Sequence, residues 1–217
     1  MLTHDPYAPA RFRMVEEQIV ARGVRNPRVV DALRMVPRHD FVPLEERIHA
    51  YEDRPLEIGA AQAISQPYMV AIMTAALDPS PNDRVLEVGT GSGYQAAVFG
   101  WLAAEVVSIE RVEELAVQAR LRLSRLGLNN VTVHVGDGSA GWPDGKEFDG
   151  ILVTAGAPQV PAALLSQLAD GGRLVVPVGS RTRQELLVIR REGEKFHEER
   201  REGCVFVPLF GRFGWDA

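Results

Sequence analysis

Short runs of apolar residues alternate with amphipathic stretches through the middle of this chain. Four of the runs have the length of buried strands, at residues 85–88, 106–109, 131–135 and 150–153. Apolar residues with helical spacing follow the first, second and fourth runs, over residues 95–102, 112–126 and 161–168. Strands that alternate with helices predict an α/β fold with a doubly wound, mostly parallel sheet that helices cover on both faces.

The pattern before residue 79 is helical. A first helix is expected to end at Gly23, a second to begin at Asn26-Pro27 and stop at Pro37, and a third to begin at Pro67 after a loop-rich stretch. We interpret residues 1–78 as a helical extension on the substrate side of the ligand crevice.

The carboxyl-terminal part differs again. A strand at 174–178 is followed by three runs without intervening helices, at 185–190, 195–200 and 204–209. Strands that succeed one another without a crossover helix are predicted to be antiparallel and to finish the edge of the sheet. Residues 79–217 then form a core that completes a single domain, residues 1–217.

The composition limits which binding partners and which cellular compartment can be expected. The 217 residues carry a net charge of −5, so no basic surface suggests nucleic acid as a partner. No apolar run approaches the roughly 20 residues that span a bilayer, and residues 1–6 lack the features of a secretory signal. The single cysteine, Cys204, cannot form an internal disulfide. We expect a cytoplasmic, monomeric protein without a membrane partner.

A glycine-rich turn follows the first predicted strand, in Glu87-Val88-Gly89-Thr90-Gly91-Ser92-Gly93-Tyr94. Ligands bind beyond strand ends at such turns, and glycine lets the backbone approach a ligand closely. The glycines occupy the first, third and fifth positions, whereas a dinucleotide fingerprint needs glycine at the sixth, which is Tyr94 here. This spacing disfavours a nicotinamide-dependent enzyme.

Two further acids follow the next two strands. Glu110, before Arg111, can accept hydrogen bonds from both hydroxyls of a ribose, and Asp137, before Gly138, from an adenine amine. A lone acid at a strand end is more often a helix cap or a solvated charge. Three acids after three successive strands, Glu87 included, nevertheless predict a cofactor of the adenosine type.

A resemblance to a known family rests on several ordered motifs. They are Val36-Pro37-Arg38, the block Ile64-Ser65-Gln66-Pro67-Tyr68-Met69, the glycine turn, Gly136-Asp137-Gly138 and the ending Phe206-Val207-Pro208-Leu209. Over nearly its whole length the chain resembles the protein L-isoaspartyl (D-aspartyl) O-methyltransferases. The resemblance implies a Rossmann-like methyltransferase fold, the cofactor S-adenosylmethionine, and isoaspartyl-containing proteins and peptides as substrates, which are repaired by methylation of their free α-carboxylate.

The same resemblance assigns roles to residues. Ser65 is expected to hold the substrate carboxylate beside the cofactor methyl, with Tyr68, Phe206 and Val207 as further substrate contacts. The expected cofactor contacts are Ile64, Glu87, Gly89, Thr90, Gly91, Gly93, Glu110, Arg111, Asp137 and Gly138. The chain departs from the family pattern at Ala60, Ala61, Ala63 and Val205, which puts the detailed substrate contacts in question.

Other readings stay open at this point. If the family resemblance is set aside, Ser65 is most simply interpreted as a helix cap or a turn residue. A methyltransferase of small metabolites or tRNA, a non-catalytic adenosine-binding protein and a dinucleotide oxidoreductase are the alternatives. The five histidines are scattered without the spacing of metal ligands, so we expect no metal site.

Overall fold

A computed structural model describes residues 5–216 of the chain. Most of the segment on which the signal-peptide expectation rests, residues 1–4, lies outside the described residues, as does His4. Among residues 5–216, none of the helices combines the length and the apolar character needed to cross a membrane.

Helical turns build the amino-terminal part. Helix α1, Ala8–Arg13, continues through a wider π-helical turn and a tighter 3₁₀ turn, and the chain leaves it at Gly23 with φ 100°. Helix α2, Pro27–Met35, begins where the Asn26 side chain accepts a hydrogen bond from the backbone amide of Arg28. Both the helix stop at Gly23 and the helix start at Asn26 were predicted, because glycine and asparagine are favoured at these ends.

A small hairpin stands where the sequence predicted only a loop-rich stretch. Strands β1, Leu56–Gly59, and β2, Gln62–Ile64, pair antiparallel, and helix α3, Pro67–Leu77, follows. The two turn residues, Ala60 and Ala61, have φ of 50° and 55°. A two-residue hairpin turn with positive φ at both positions usually selects glycine or asparagine. Alanine there removes the sequence signal for a hairpin.

The central sheet has seven strands. In chain order the remaining elements are β3 Arg84–Val88, α4 Tyr94–Gly100, β4 Glu105–Glu110, α5 Glu113–Arg125, β5 Val131–Val135, β6 Phe148–Val153, α6 Ala162–Leu165, β7 Leu168–Gly179, β8 Gln184–Glu192 and β9 Lys195–Cys204. The spatial order is β5-β4-β3-β6-β7-β8-β9. The first five strands in this order, β5 to β7, pair in parallel, whereas β8 pairs antiparallel with β7 and β9 antiparallel with β8. The predicted fold class is confirmed.

Two faces of the sheet carry separate parts of the core. Val85, Val106 and Val175 lie in one buried cluster with side chains of α3 and α4. Leu86 and Leu174, on the other face, lie in a second cluster with α6. The chain leaves β3 towards β4 on one side, whereas β6 pairs with β3 on the other. Such a switch point opens a crevice at the carboxyl ends of the strands.

Two predictions in the carboxyl-terminal half were wrong. The helix expected at 161–168 is the single turn α6, because β7 already begins at Leu168. The strand expected at 204–209 does not form, since β9 ends at Cys204 and the following residues are irregular apart from one bridge between Pro208 and Gly156. Proline has no amide hydrogen to donate to a ladder. The amide of Phe206 donates instead to the side chain of Gln184, at 2.8 Å.

Candidate active site

A cavity of about 260 Å³ lies at the carboxyl edge of the sheet. Its floor is formed by the ends of β3, β4 and β6 and by the loop after β5, and its sides come from the β1–β2 hairpin, α3 and the chain after β9. The residues predicted as site residues that line it are Ile64, Ser65, Gly89, Thr90, Gly91, Glu110, Arg111, Gly138 and Val207. The cavity therefore joins the cofactor motifs and the serine block in one enclosure.

The glycine turn after β3 is shaped by close backbone contacts. Gly89 and Gly91 have φ of 98° and 52°, and Gly93, which does not line the cavity, has φ of 91°. A Cβ atom on Gly89 would lie 2.3 Å from the hydroxyl of Thr154, which donates to the carbonyl of Gly89 at 2.6 Å. Glycine is required there both for conformation and for space.

Glu110 ends β4 with its carboxylate at the cavity. One oxygen accepts from the amide of Gly91 at 2.8 Å, and the other from the amide of Val112 at 2.9 Å. Each carboxylate oxygen has room for a second hydrogen bond. The side chain is therefore held in place and still able to accept from a diol. Arg111 lies beside it, with its guanidinium carbon 5.2 Å from the Phe210 ring centroid.

Glu87 is fully buried and does not line the cavity. The hydroxyl of Ser108 donates to one of its carboxyl oxygens, and Ser108 is 2.5 Å from the hydroxyl of Thr90, which does line the cavity. Burial raises the pKa of Glu87 to about 8, and the hydrogen bond from Ser108 only partly opposes this. The side chain is therefore protonated at neutral pH and reaches the cavity only through two hydroxyls.

Asp137 lies beside the main cavity, in a second one that it shares with Arg111 and Phe210. Its carboxylate accepts hydrogen bonds from the amide and the hydroxyl of Ser139 and from the amide of Arg212. Burial raises the pKa of Asp137, but these hydrogen bonds outweigh that effect and hold the pKa below its usual value. The expected contact with adenine stays a prediction.

The predicted substrate residues separate into two groups. Ser65 and Val207 line the cavity, and so does Ala63, one of the departures from the family pattern. Tyr68 and Phe206 do not line it: the guanidinium of Arg22 lies 3.3 Å from the centre of the Tyr68 ring. Val205, another of the four departures, is 73% exposed and does not line the cavity.

A family model described as protein-L-isoaspartate (D-aspartate) O-methyltransferase matches residues 11–214. The chain belongs to this family. A protein-L-isoaspartate O-methyltransferase of Methanoregula boonei is 54% identical over 216 residues, which cover 100% of each chain. The resemblance inferred from the motifs is confirmed.

Solved structures agree with this assignment. A protein-L-isoaspartate O-methyltransferase structure is 29% identical and superposes with a TM-score of 0.82, over 95% of this chain and 67% of the other. A Plasmodium falciparum protein assigned to the same enzyme class, crystallised with S-adenosyl-L-homocysteine, shares the fold at 23% identity. Its TM-score is 0.79, with 92% and 98% of the two chains covered.

In this isoaspartate methyltransferase family member, several cavity residues were missed by sequence reasoning. Thr154 follows β6, and the rule that found Glu110 and Asp137 at strand ends could have found it too. The others come from distant segments, and no local pattern marks Gln62, Val70, Met73, Gln95 or Phe210. Three more were not assigned as contacts although the sequence analysis named them, as a departure from the family pattern or as part of the ending: Ala60, Pro208 and Leu209.

Two of the histidines and the cysteine are engaged in packing. His39 stacks on Tyr7 at 4.1 Å between ring centroids, and His134 stacks on Trp142 at 3.9 Å. Burial raises the pKa of the Cys204 thiol to about 11, which makes it a poor nucleophile at neutral pH. Within the part of the chain that the structure describes, no three His, Cys, Asp or Glu side chains are grouped as metal ligands would be.

Proposed function

We propose that this chain transfers the methyl group of S-adenosylmethionine to the free α-carboxylate of L-isoaspartyl residues, and so initiates their repair in damaged proteins and peptides. One observation carries the proposal. Ser65, expected on the substrate side, and Glu110, expected on the cofactor side, line the same cavity. The family match over residues 11–214 supports the same reaction.

The residues at the cavity fit an adenosine-type cofactor. The carboxylate of Glu110 is held by two backbone amides and keeps lone pairs for the hydroxyls of a ribose. Gly138 lines the cavity and packs closely against β3, since a Cβ atom there would lie 2.6 Å from the side chain of Val88. Ile109 and Val112 add apolar lining next to it. The Plasmodium falciparum protein that shares this fold contains S-adenosyl-L-homocysteine, the demethylated product of such a cofactor.

The proposed reaction needs little acid–base catalysis from the protein. When bound, S-adenosylmethionine supplies a methyl group on a positively charged sulfur with a neutral thioether as the leaving group. The substrate α-carboxylate has an ordinary pKa of roughly 3.5, so it is ionised at neutral pH and needs no general base. The work left to the protein is to orient the carboxylate and to exclude water.

Ser65 can perform the orienting step. Its hydroxyl is a hydrogen-bond donor in the cavity wall, and a donor to one carboxylate oxygen leaves the other free to attack the methyl carbon. Glu87 does not oppose the approach of an anion, because it is neutral at pH 7. Both oxygens of Glu110 are engaged by backbone amides, at 2.8 Å from Gly91 and 2.9 Å from Val112.

The direct test is methyl transfer to a matched pair of peptides, one with an isoaspartyl residue and one with normal aspartate. Label from the cofactor methyl should appear only on the isoaspartyl peptide. No labelling of either peptide, together with labelling of a metabolite extract or of tRNA, would move the substrate to the alternative class.

Substitution of the serine sharpens this test. We expect Ser65→Ala to lower kcat on the isoaspartyl peptide by about 10- to 100-fold, the value of one hydrogen bond to a charged group. Affinity for S-adenosyl-L-homocysteine, measured by calorimetry, should stay within about twofold. Ser124→Ala, on the exposed face of α5, is the matched control and should leave both quantities unchanged. Equal turnover in the two variants would remove Ser65 from the reaction.

We further propose that residues 1–217 work as one monomeric cytoplasmic domain, without a nucleic acid or membrane partner. The net charge of −5 supports the absence of a nucleic acid partner. Light scattering after size-exclusion chromatography should give a mass near 23.9 kDa. A dimer mass, or retention on anionic vesicles or tRNA, would contradict this proposal.

A further inference from the structure

The chain after β9 crosses the carboxyl edge of the sheet; we call residues 205–215 the strap. It is anchored at its start, where the amide of Phe206 donates to the buried side chain of Gln184 at 2.8 Å. Next, the amide of Leu209 and the indole nitrogen of Trp215 both donate to the carbonyl of Gly156, at 2.9 and 3.0 Å. The strap is thus attached to the loop after β6 and to the first residue of β8.

The far part of the strap is attached to the turn after β5. The amide of Arg212 donates to Asp137 at 2.7 Å, and the amide of Phe213 donates to the hydroxyl of Ser139 at 3.0 Å. The same hydroxyl donates to the other oxygen of Asp137 at 2.7 Å. Ser139 is fully buried and lines neither cavity. Its hydroxyl therefore has partners only within this junction.

The fit between strap and turn leaves no spare room. A Cβ atom on Gly211 would lie 2.0 Å from a carboxylate oxygen of Asp137 and 2.6 Å from the hydroxyl of Ser139. A side chain at this position must push the strap away from the turn. The two sides of the junction can therefore be disturbed separately, from Ser139 or from Gly211.

The strap carries a wall of the cavity. Val207 and Phe210 both line it, and Phe210, like Arg111, also lines the second cavity. The guanidinium carbons of Arg111 and Arg181 lie 5.2 and 5.7 Å from the centre of the Phe210 ring. A shift of the strap would move this wall relative to Ser65, which is attached to a different part of the fold.

We propose that Ser139 is a positioning residue for the peptide substrate: by tying the strap to the turn after β5, it sets the wall that Val207 and Phe210 present beside Ser65. The inference rests on the proposed function, because it takes the isoaspartyl peptide as the molecule that meets this wall. Ser139 acts through the strap and does not itself touch substrate or cofactor.

The test compares three variants. Ser139→Ala removes the hydroxyl that accepts from the amide of Phe213 and donates to Asp137. Gly211→Ala keeps Ser139 but adds a methyl group that must displace the strap from the turn after β5. Both should displace the wall and so raise KM for the isoaspartyl peptide by about three- to tenfold, with kcat nearly unchanged. Affinity for S-adenosyl-L-homocysteine by calorimetry should stay within about twofold. Arg212→Ala, which keeps the backbone amide that Asp137 accepts from, is the control and should keep the wild-type KM.

Displacement of the strap has its own readout that needs no substrate. Trp215 lies on the strap, so its fluorescence, isolated by subtracting the spectrum of Trp215→Phe, should shift in Ser139→Ala and Gly211→Ala. An unchanged KM in both, or an equal loss of affinity for S-adenosyl-L-homocysteine, overturns the role of Ser139. If the wild-type protein methylates no isoaspartyl peptide, the proposed function is wrong. If, in addition, the Trp215 fluorescence is unshifted in both variants, the proposed coupling of Ser139 to the strap is wrong as well.

Discussion

The cofactor side and the substrate side of the cavity are held in different ways. On the cofactor side, Glu110 and the glycine turn follow adjacent parallel strands, and the register of β3 with β4 brings them together. On the substrate side, the hairpin and the strap lie outside that ladder. The strap is held by a few separate hydrogen bonds, among them those to Gln184, Gly156 and Ser139. The sheet supplies one continuous frame, whereas each strap contact can be removed alone.

Substitutions on the two sides should therefore affect different binding steps. Side chains on the cofactor side are fixed by many neighbours, so a change there acts on binding of the cofactor itself. On the substrate side, single contacts set the position of a wall, so changes should alter peptide binding while the cofactor still binds. Variants on each side of the cavity test whether cofactor binding and peptide binding can be altered separately.

The largest effect is expected from Glu110→Ala. It removes the carboxylate that accepts from Gly91 and Val112 and that we assign to the ribose. Affinity for S-adenosyl-L-homocysteine, measured by calorimetry, should fall by about a hundredfold, in line with the loss of charge-assisted hydrogen bonds. Glu114→Ala, exposed on α5, should bind like wild type. If both variants keep wild-type affinity, the cofactor side has been misassigned.

A smaller effect tests the buried carboxyl beneath the glycine turn. The pKa of Glu87 is raised to about 8 from an ordinary value of 4.5, so the folded protein binds a proton that the unfolded chain releases across this range. Stability should therefore fall as the pH rises from about 4.5 to about 8. In Glu87→Gln this slope should be lost, and the wild-type decrease attributable to Glu87 between pH 4.5 and 8 should be about 4 kcal/mol.

Denaturant unfolding at pH 5, 6.5 and 8 measures this difference. Glu113→Gln, on the exposed first turn of α5, controls for the loss of a carboxylate at the surface. Parallel stability curves for wild type and Glu87→Gln would show that Glu87 is ionised in the folded protein at neutral pH.

The smallest effect concerns the turn of the hairpin. Ala60 and Ala61 both have positive φ, a conformation that is strained by roughly 1–2 kcal/mol for residues with a Cβ atom. Ala61→Gly should stabilise the protein by about 0.5–1 kcal/mol, since glycine relieves the strain but gains entropy in the unfolded chain. Thermal denaturation measures the change, and Ala162→Gly, in the helix α6, should destabilise instead. A decrease in stability for Ala61→Gly would contradict the strain.

Much of the cofactor side was predictable from sequence. The strands β3 to β6 are apolar runs, and Glu110 stands at the end of one of them, where parallel strands bring functional side chains together. The burial of Glu87 was not predictable. Its neighbours Leu86 and Val88 point to the opposite face, and only the assembled fold shows that the face of Glu87 is closed to water.

The substrate side was harder to predict because its conformation depends on distant partners. The alanines at 60 and 61 give no turn signal, so the hairpin was missed. The apolar run at 204–209 indicates a strand, but Gln184 takes the amide of Phe206 and Pro208 has none to give. Asp137 was expected at the adenine; its three hydrogen bonds from Ser139 and Arg212 could not be read from the spacing of residues.

The strap is held largely through main-chain amides, at Phe206, Leu209, Arg212 and Phe213. Every amino acid except proline brings the same amide, so these four attachments do not depend on which side chains stand at those positions, in contrast to Gly211 and Trp215. Exposed positions such as 205 and 212 are therefore open to diversification. A randomised library at these two sites should yield folded enzymes that keep the wild-type KM for the isoaspartyl peptide.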